Sequence, residues 1–259
     1  MMSPLSSRLG GHVSLVSTRA VRGFTIVELM VAIVMSMFLV AGIFGIVVSL
    51  RQTSRVQDNL TQLHDSERFM LTVFNTSVHQ AGYFTNPVVN TAAAALPVSA
   101  SANPDDTTFI AEQFISGSDG AGTASDTINL RFQSASGDGL TNCQGDTNAT
   151  ALPIVWTSSF SINTDRQLVC AVSTNGGVAG TPTVLADNIA NMSILYGVDT
   201  DEDGTVDRYM NATDVTAAAF WARIYTVQLS VTFRDAVSAG PAKDMPFPIF
   251  HTISLMNRP

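Results

Sequence analysis

An α+β fold is expected, one long N-terminal helix packed on an antiparallel β-rich head, and three observations predict it. The first is Leu29 to Leu50, 22 consecutive residues without a charge. The second is an apolar stripe that continues beyond this run at helical spacing, with no proline until Pro87. The third is the change after Pro87 to short stretches in which apolar and polar residues alternate. The 259 residues suffice for one sizeable domain plus a membrane segment.

The charge-free run makes roughly 33 Å of helix at about 1.5 Å per residue, enough to span a hydrocarbon core. A cleaved secretory signal has a shorter apolar stretch, about 7 to 15 residues, and ends in a small-residue site. This run fits neither condition. Arg8, Arg19 and Arg22 precede it with no acid among them, while Arg51 and Arg55 follow. The acid-free basic start favours an N-in, C-out orientation. Ala41, Gly42 and Gly45 interrupt the bulky residues, which leaves local flexibility and close helix approach both open. One acid, Glu28, stands at the head of the run.

Beyond the run, Val56, Leu60, Leu63, Met70, Phe74 and Val78 recur at spacings of three, four or seven. That stripe is read as the face of a helix lying on its own globular domain. Glu67 interrupts it, either at the stripe edge or paired with an unseen partner. Gly82 can take the left-handed conformation that ends helices, and Pro87 blocks resumption. The helix is therefore expected from about Phe24 to Ala81, about 85 Å long.

After a low-complexity loop, "TAAAALPVSASANPDD", the strand candidates are "TINLRFQ", "PIVWTSSFSI", "RQLVCAV", "NMSILYGV", "WARIYTVQLSVTFRD" and "PFPIFHTISLM". Tyr225, Val227, Leu229, Val231 and Phe233 alternate with polar residues, the period-two pattern of a half-buried strand. These strands are expected to form one antiparallel sheet on the C-terminal half of the long helix.

Composition narrows the function. Only 13% of residues are charged, while Ala, Val, Ser, Thr, Gly and Asn abound, which fits a secreted β-rich protein better than a disordered chain. Net charge is −8, and past the first 23 residues 10 basic face 21 acidic residues. Nucleic-acid binding, which needs clustered Lys and Arg, is not expected. His12, His64, His79 and His251 are scattered, and no nucleophile elbow or phosphate-binding glycine loop occurs, so no enzyme is expected. Asn59, Asn75, Asn148, Asn191 and Asn211 each begin an N-x-S/T triplet, as chance provides in a chain of this composition.

Two features of the head carry chemistry. Cys143 and Cys170 both follow the membrane run, and outside the cytoplasm their natural state is a disulfide. Closing a loop of about 28 residues would stabilise the fold by roughly 3 to 4 kcal/mol. The other feature is "DTDEDGTVD", where Asp199, Asp201 and Asp203 alternate before Gly204 and Asp207 takes the ninth position of an EF-hand-like loop. Carboxylates this close repel one another without a cation, and the Thr205 carbonyl could add a ligand. Met210 stands where an EF-hand has its bidentate Glu, which excludes a complete EF-hand and leaves Asp214 or water to finish the shell. A structural Ca²⁺ site and a plain acidic β-turn both stand at this level.

The segment "G-F-T-I-V-E" followed by about 20 apolar residues resembles the type IV prepilin signature. The resemblance implies that prepilin peptidase cuts between Gly23 and Phe24 on the cytoplasmic side and that the new Phe24 amine is methylated. It also implies that this amine pairs with Glu28 of a neighbouring subunit during filament assembly. The cleaved leader would be residues 1–23, the helix 24–81, with its membrane part at about 29–50, and the head 82–259. The leader is longer than is usual for such proteins, so translation could start downstream, for example at Val16. "YGVDTDEDGTVDRYMNA", "RFMLTVFNTSVHQAGYF" and the Cys143/Cys170 spacing are similar to the PilW-like family of large minor pilins.

The expected function is a minor pilin of type IV pilus assembly, with other minor and major pilins as partners. A single pass through the bacterial inner membrane, N-terminus cytoplasmic and head periplasmic, would precede transfer to the pilus and cell surface. The alternatives are a minor pseudopilin of a type II secretion system and a calcium-dependent tip adhesin.

Overall fold

The computed structural model describes residues 23–99, 108–122, 124–235, 243–244 and 248–257. Most of the leader with its three arginines and Val16, the Val56 side chain, and parts of the low-complexity loop and of "PFPIFHTISLM" lie outside the described residues. The chain divides into two compact units, Met1–Ser54 and Arg55–Pro259.

Helix α1 covers Ile26–Gln80, close to the expected span. In the first unit every described side chain is exposed, including the apolar ones. The most apolar 18-residue window of α1 has a mean hydropathy of 2.8, so the helix is long and apolar enough to cross a membrane. Apolar residues all round suit a lipid environment, in which a helix satisfies its own backbone groups.

In the second unit the stripe on α1 is only partly a core face. Met70, Phe74 and Val78 are fully buried and Leu63 packs at the margin, but Leu60 is exposed. Glu67 lies 3.4 Å from the His64 ring nitrogen, a partner one turn away on the same helix. The helix stops where expected. Gly82 has φ +80°, its N–H donates to the Arg131 carbonyl at 3.0 Å, and a Cβ there would collide with the Asn257 carbonyl oxygen at 1.8 Å.

The head contains two antiparallel sheets rather than the single expected one. After a short helical turn, α2 (Ala92–Ala95), the first sheet follows chain order: β1 (Ile115–Ser118), β2 (Thr127–Ser134), β3 (Ile154–Ile162), β4 (Leu168–Thr174) and β5 (Thr183–Ala186). The second is built from β6 (Ile189–Val198), β7 (Arg208–Met210), β8 (Ile224–Asp235) and β10 (Ile249–Ser254), in the order β10-β8-β6-β7, with β9 (Lys243–Asp244) beside β8. Helix α3 (Ala212–Ala218) and a 3₁₀ turn, Trp221–Arg223, join β7 to β8.

Both sheets and α1 share one core. Phe74 meets Phe160 of β3 edge to face at 5.2 Å between ring centres. The expected alternation on β8 is observed, with Val227, Leu229, Val231 and Phe233 buried. Asp126, just before β2, ties the sheets together. Its N–H donates to the Met192 carbonyl, and its carboxylate accepts from the Ile194 N–H at 2.8 Å.

Candidate functional site

The N-terminal site is built by the start of α1. Phe24 is 82% exposed, one residue before Thr25, and Glu28 lies in the first helical turn. Thr25 is the cap of the helix. Its hydroxyl accepts from the Glu28 N–H at 3.3 Å and its carbonyl from the Leu29 N–H at 3.1 Å. Thr25-Ile26-Val27-Glu28 thus has the T-x-x-E form of a capping box, a signal that the sequence itself carries. An acid in the first turn also complements the positive end of the helix dipole. Glu28 therefore has a local reason to stand here, at the capped start of the helix.

The acidic loop connects β6 to β7, and Val198 pairs with Arg208 at its base. Asp199 is 1% exposed, while Asp201 and Asp207 are exposed. One carboxylate oxygen from each of these three lies within 4.8 Å of the others, so they are the residues that could hold a hard divalent cation. Asp203, expected beside them, is not in this group of side chains. The Asp203 carboxylate instead accepts from the Thr205 N–H at 2.8 Å and its hydroxyl at 2.6 Å. Asp214 stands in the first turn of α3, outside the cluster, where its N–H donates to the capping Asn211 side chain.

The loop also satisfies its own acids. Burial opposes ionisation of Asp199, but the N–H groups of Gly204 and Glu202, helped by Tyr225 and Asp203, outweigh it and hold the carboxyl below the usual carboxylate range. The Asp207 carboxyl is lowered by the Thr200 hydroxyl and N–H, both at 2.7 Å. Glu202 adopts φ +67° and forms an ion pair with Arg223, which also donates to the Thr200 carbonyl at 2.9 Å. This network is a complete turn without a cation, and it leaves three carboxylates converging on one point.

Cys143 and Cys170 form a disulfide, with Cα atoms 6.3 Å apart. It joins the 141–147 turn to β4 over the core, and the Gln144 side chain reinforces it by donating to the Cys170 and Thr181 carbonyls.

Arg131 of β2 is a functional-looking group that the sequence does not single out. It is buried, lies 4.7 Å from the centre of the Phe109 ring, and donates to the carbonyls of Gln113, Pro97, Leu96 and Ile110. Burial pulls its guanidinium down to about 10, still charged at neutral pH. Among the N-x-S/T asparagines, Asn148 bonds the Ser134 and Leu152 carbonyls, Asn191 accepts from Ser125 and Asn211 caps α3.

A helix headed by a processing motif and followed by a disulfide-bonded β head defines a prepilin-like protein. The profile of the prokaryotic N-terminal methylation motif matches residues 18–44, and that of type IV pilus-assembly protein W matches residues 156–251. The chain is therefore type IV prepilin-like at its N-terminus, and its head is similar to type IV pilus-assembly protein W over the matched residues. No curated protein sequence matches it significantly. The methylation motif lies over the apolar start of α1, the combination that anchors such a chain in a membrane.

Proposed function

We propose that the chain is a minor pilin that enters the initiating or tip complex of a type IV pilus. Prepilin peptidase removes residues 1–23 at Gly23, Phe24 is methylated, and the protein waits in the inner membrane with its head in the periplasm. Other minor and major pilins are its partners, and the pilus at the cell surface is its destination. The observation that carries this reading is Glu28. It is an exposed acid in the first turn of an exposed apolar helix, four residues from the amine that cleavage would free. An ionised carboxylate in hydrocarbon costs several kcal/mol unless paired, and a neighbour's Phe24 amine is a cation at matching depth.

The pseudopilin reading shares this N-terminal logic. The match of the head to a pilus-assembly family favours the pilus. Deleting the gene and scoring piliation and secretion in parallel tests the choice. Loss of pili with secretion intact is expected, and the reverse pattern would assign the protein to a secretion system.

Structural calcium at the β6–β7 loop is also part of the proposal, with Asp199, Asp201 and Asp207 as ligands. Millimolar calcium is expected to raise the melting temperature of the full chain in detergent, and Asp201→Asn to abolish the rise. An unchanged melting temperature on adding calcium would sink it.

A further inference from the structure

The Cys143–Cys170 disulfide has two unlike ends. Cys170 stands in β4 between its cross-strand neighbours, Phe160 on β3 and Thr183 on β5, and is fully buried in the core. Cys143 belongs to the 141–147 turn and keeps 5% of its surface exposed. It also lines a groove whose other walls include Phe69, Thr72, Val73 and Thr76 of α1 and Val184 of β5. Phe69, Thr72, Thr76 and Val184 are all exposed, so the groove opens to solvent.

The turn that carries Cys143 is held by its own bonds. The Asn142 N–H donates to the Asp146 carbonyl at 3.0 Å, and Thr141 bridges to Thr147. The Asn142 side-chain oxygen accepts from the Gln144 N–H at 2.9 Å and from the Asp146 N–H at 3.0 Å. None of these bonds involves a sulfur, so the turn keeps its shape when the disulfide opens. The Gln144 amide ties it to β4 and to the start of β5 through the Cys170 and Thr181 carbonyls, at 3.0 and 2.9 Å. Cys143 can therefore move toward the groove with its turn. Cys170 reaches solvent only if β4, paired on both sides, leaves the sheet.

We infer that Cys143 is the sulfur through which this disulfide is made and broken, by thiol or disulfide reagents that enter along the groove. When the bond is made, the Cys143 thiolate attacks one sulfur of an oxidant's disulfide and expels the other as a thiolate, which leaves a mixed disulfide on Cys143. The Cys170 thiolate then attacks the Cys143 Sγ and expels the oxidant's remaining sulfur. The electron pair of the oxidant's broken S–S bond leaves on its two sulfurs, which take up the protons the cysteines gave up. Opening runs the same steps in reverse, with a dithiol or two thiols as reductant. Access decides which cysteine meets the reagent, because a first attack at Cys170 would need the reagent inside the core. A thiolate released at Cys170 stands in apolar surroundings, an unfavourable place for charge, and is driven back onto Cys143.

Two variants isolate the sulfurs. Cys170→Ser leaves the Cys143 thiol, Cys143→Ser leaves the Cys170 thiol, and both lose the disulfide. Each full chain, folded in detergent, is treated with oxidised glutathione, and the mixed disulfide is followed by mass spectrometry. Cys170→Ser should be modified at least about tenfold faster than Cys143→Ser, and the two rates should converge in urea. Thr76→Trp, added to Cys170→Ser at an exposed helix position, should fill the groove and slow the native reaction while leaving the rate in urea unchanged. A second measurement does not depend on the stability of the variants: the oxidised parent is treated with reduced glutathione, quenched in acid and mapped. Trapped glutathione should sit on Cys143. Equal native rates, a difference that persists in urea, an undiminished native rate with Thr76→Trp, or glutathione trapped on Cys170 in the parent overturns the inference.

Discussion

At the scale of single residues, Glu28 and Arg131 show two ways in which a charge is held. Glu28 is legible in the sequence, because a carboxylate at the head of an apolar run is costly to desolvate without a partner. The T-x-x-E spacing carries a second signal, Thr25, whose hydroxyl caps the same turn and gives it a structural role beside the electrostatic one of Glu28. Arg131 is invisible there, because an arginine in "TINLRFQ" looks like the polar position of an alternating strand, and only the fold brings four carbonyls around it. Arg131→Ala is expected to lower stability by about 3 kcal/mol or more in urea unfolding, since it leaves buried carbonyls unpaired. Arg131→Lys should recover only part of this, because an ammonium cannot reproduce the planar fork. The lowered carboxyls of Asp199 and Asp207 predict an acid dependence. Their contribution is fully present above the ordinary carboxylate value of about 3.8 and is lost as the pH falls through their lowered values. Urea midpoints followed from pH 6 down to pH 2 should drop less steeply in Asp207→Asn than in the parent.

At the scale of elements, long or strongly periodic segments are legible and short ones are not. The Ile26–Gln80 helix and the alternation of β8 follow from patterns many residues long. The short strands β1, β5 and β7 have three or four residues each and carry no period, so the second sheet cannot be separated from the first by pattern alone. Helix α3 escapes for a different reason. Its N-terminus is capped by Asn211 locally and by the Asp119 carboxylate from 93 residues away, a contact only the tertiary fold supplies. In the acidic loop the positions of Asp199, Asp201 and Asp207 are readable from EF-hand spacing. The diversion of Asp203 to Thr205 is not, because an Asp-x-Thr turn competes with outward coordination. The disulfide joins two such elements, the 141–147 turn and β4. Cys143→Ser is expected to lower stability by roughly 3 to 4 kcal/mol, and the parent under reducing conditions should unfold at the same denaturant midpoint as the variant.

At the scale of the whole molecule, the chain combines an exposed apolar helical segment headed by one acid with a head whose sheets bury a core against the later part of the same helix. Such a division suits a subunit whose N-terminal part is buried only by neighbours in a membrane or a filament. The assembly proposal then rests on the charge of Glu28 rather than on its backbone position. Thr25→Ala removes the cap at a cost of about 1 kcal/mol and should leave assembly intact, whereas Glu28→Gln keeps the side-chain shape and removes the charge. The most direct measurement is recovery of Glu28→Gln in filaments sheared from cells that also carry all other subunits, with the processed N-terminus checked by mass spectrometry. The prediction is a chain that begins at methylated Phe24, stays in the membrane fraction and is missing from the filaments. Recovery in filaments at the parent level would contradict it.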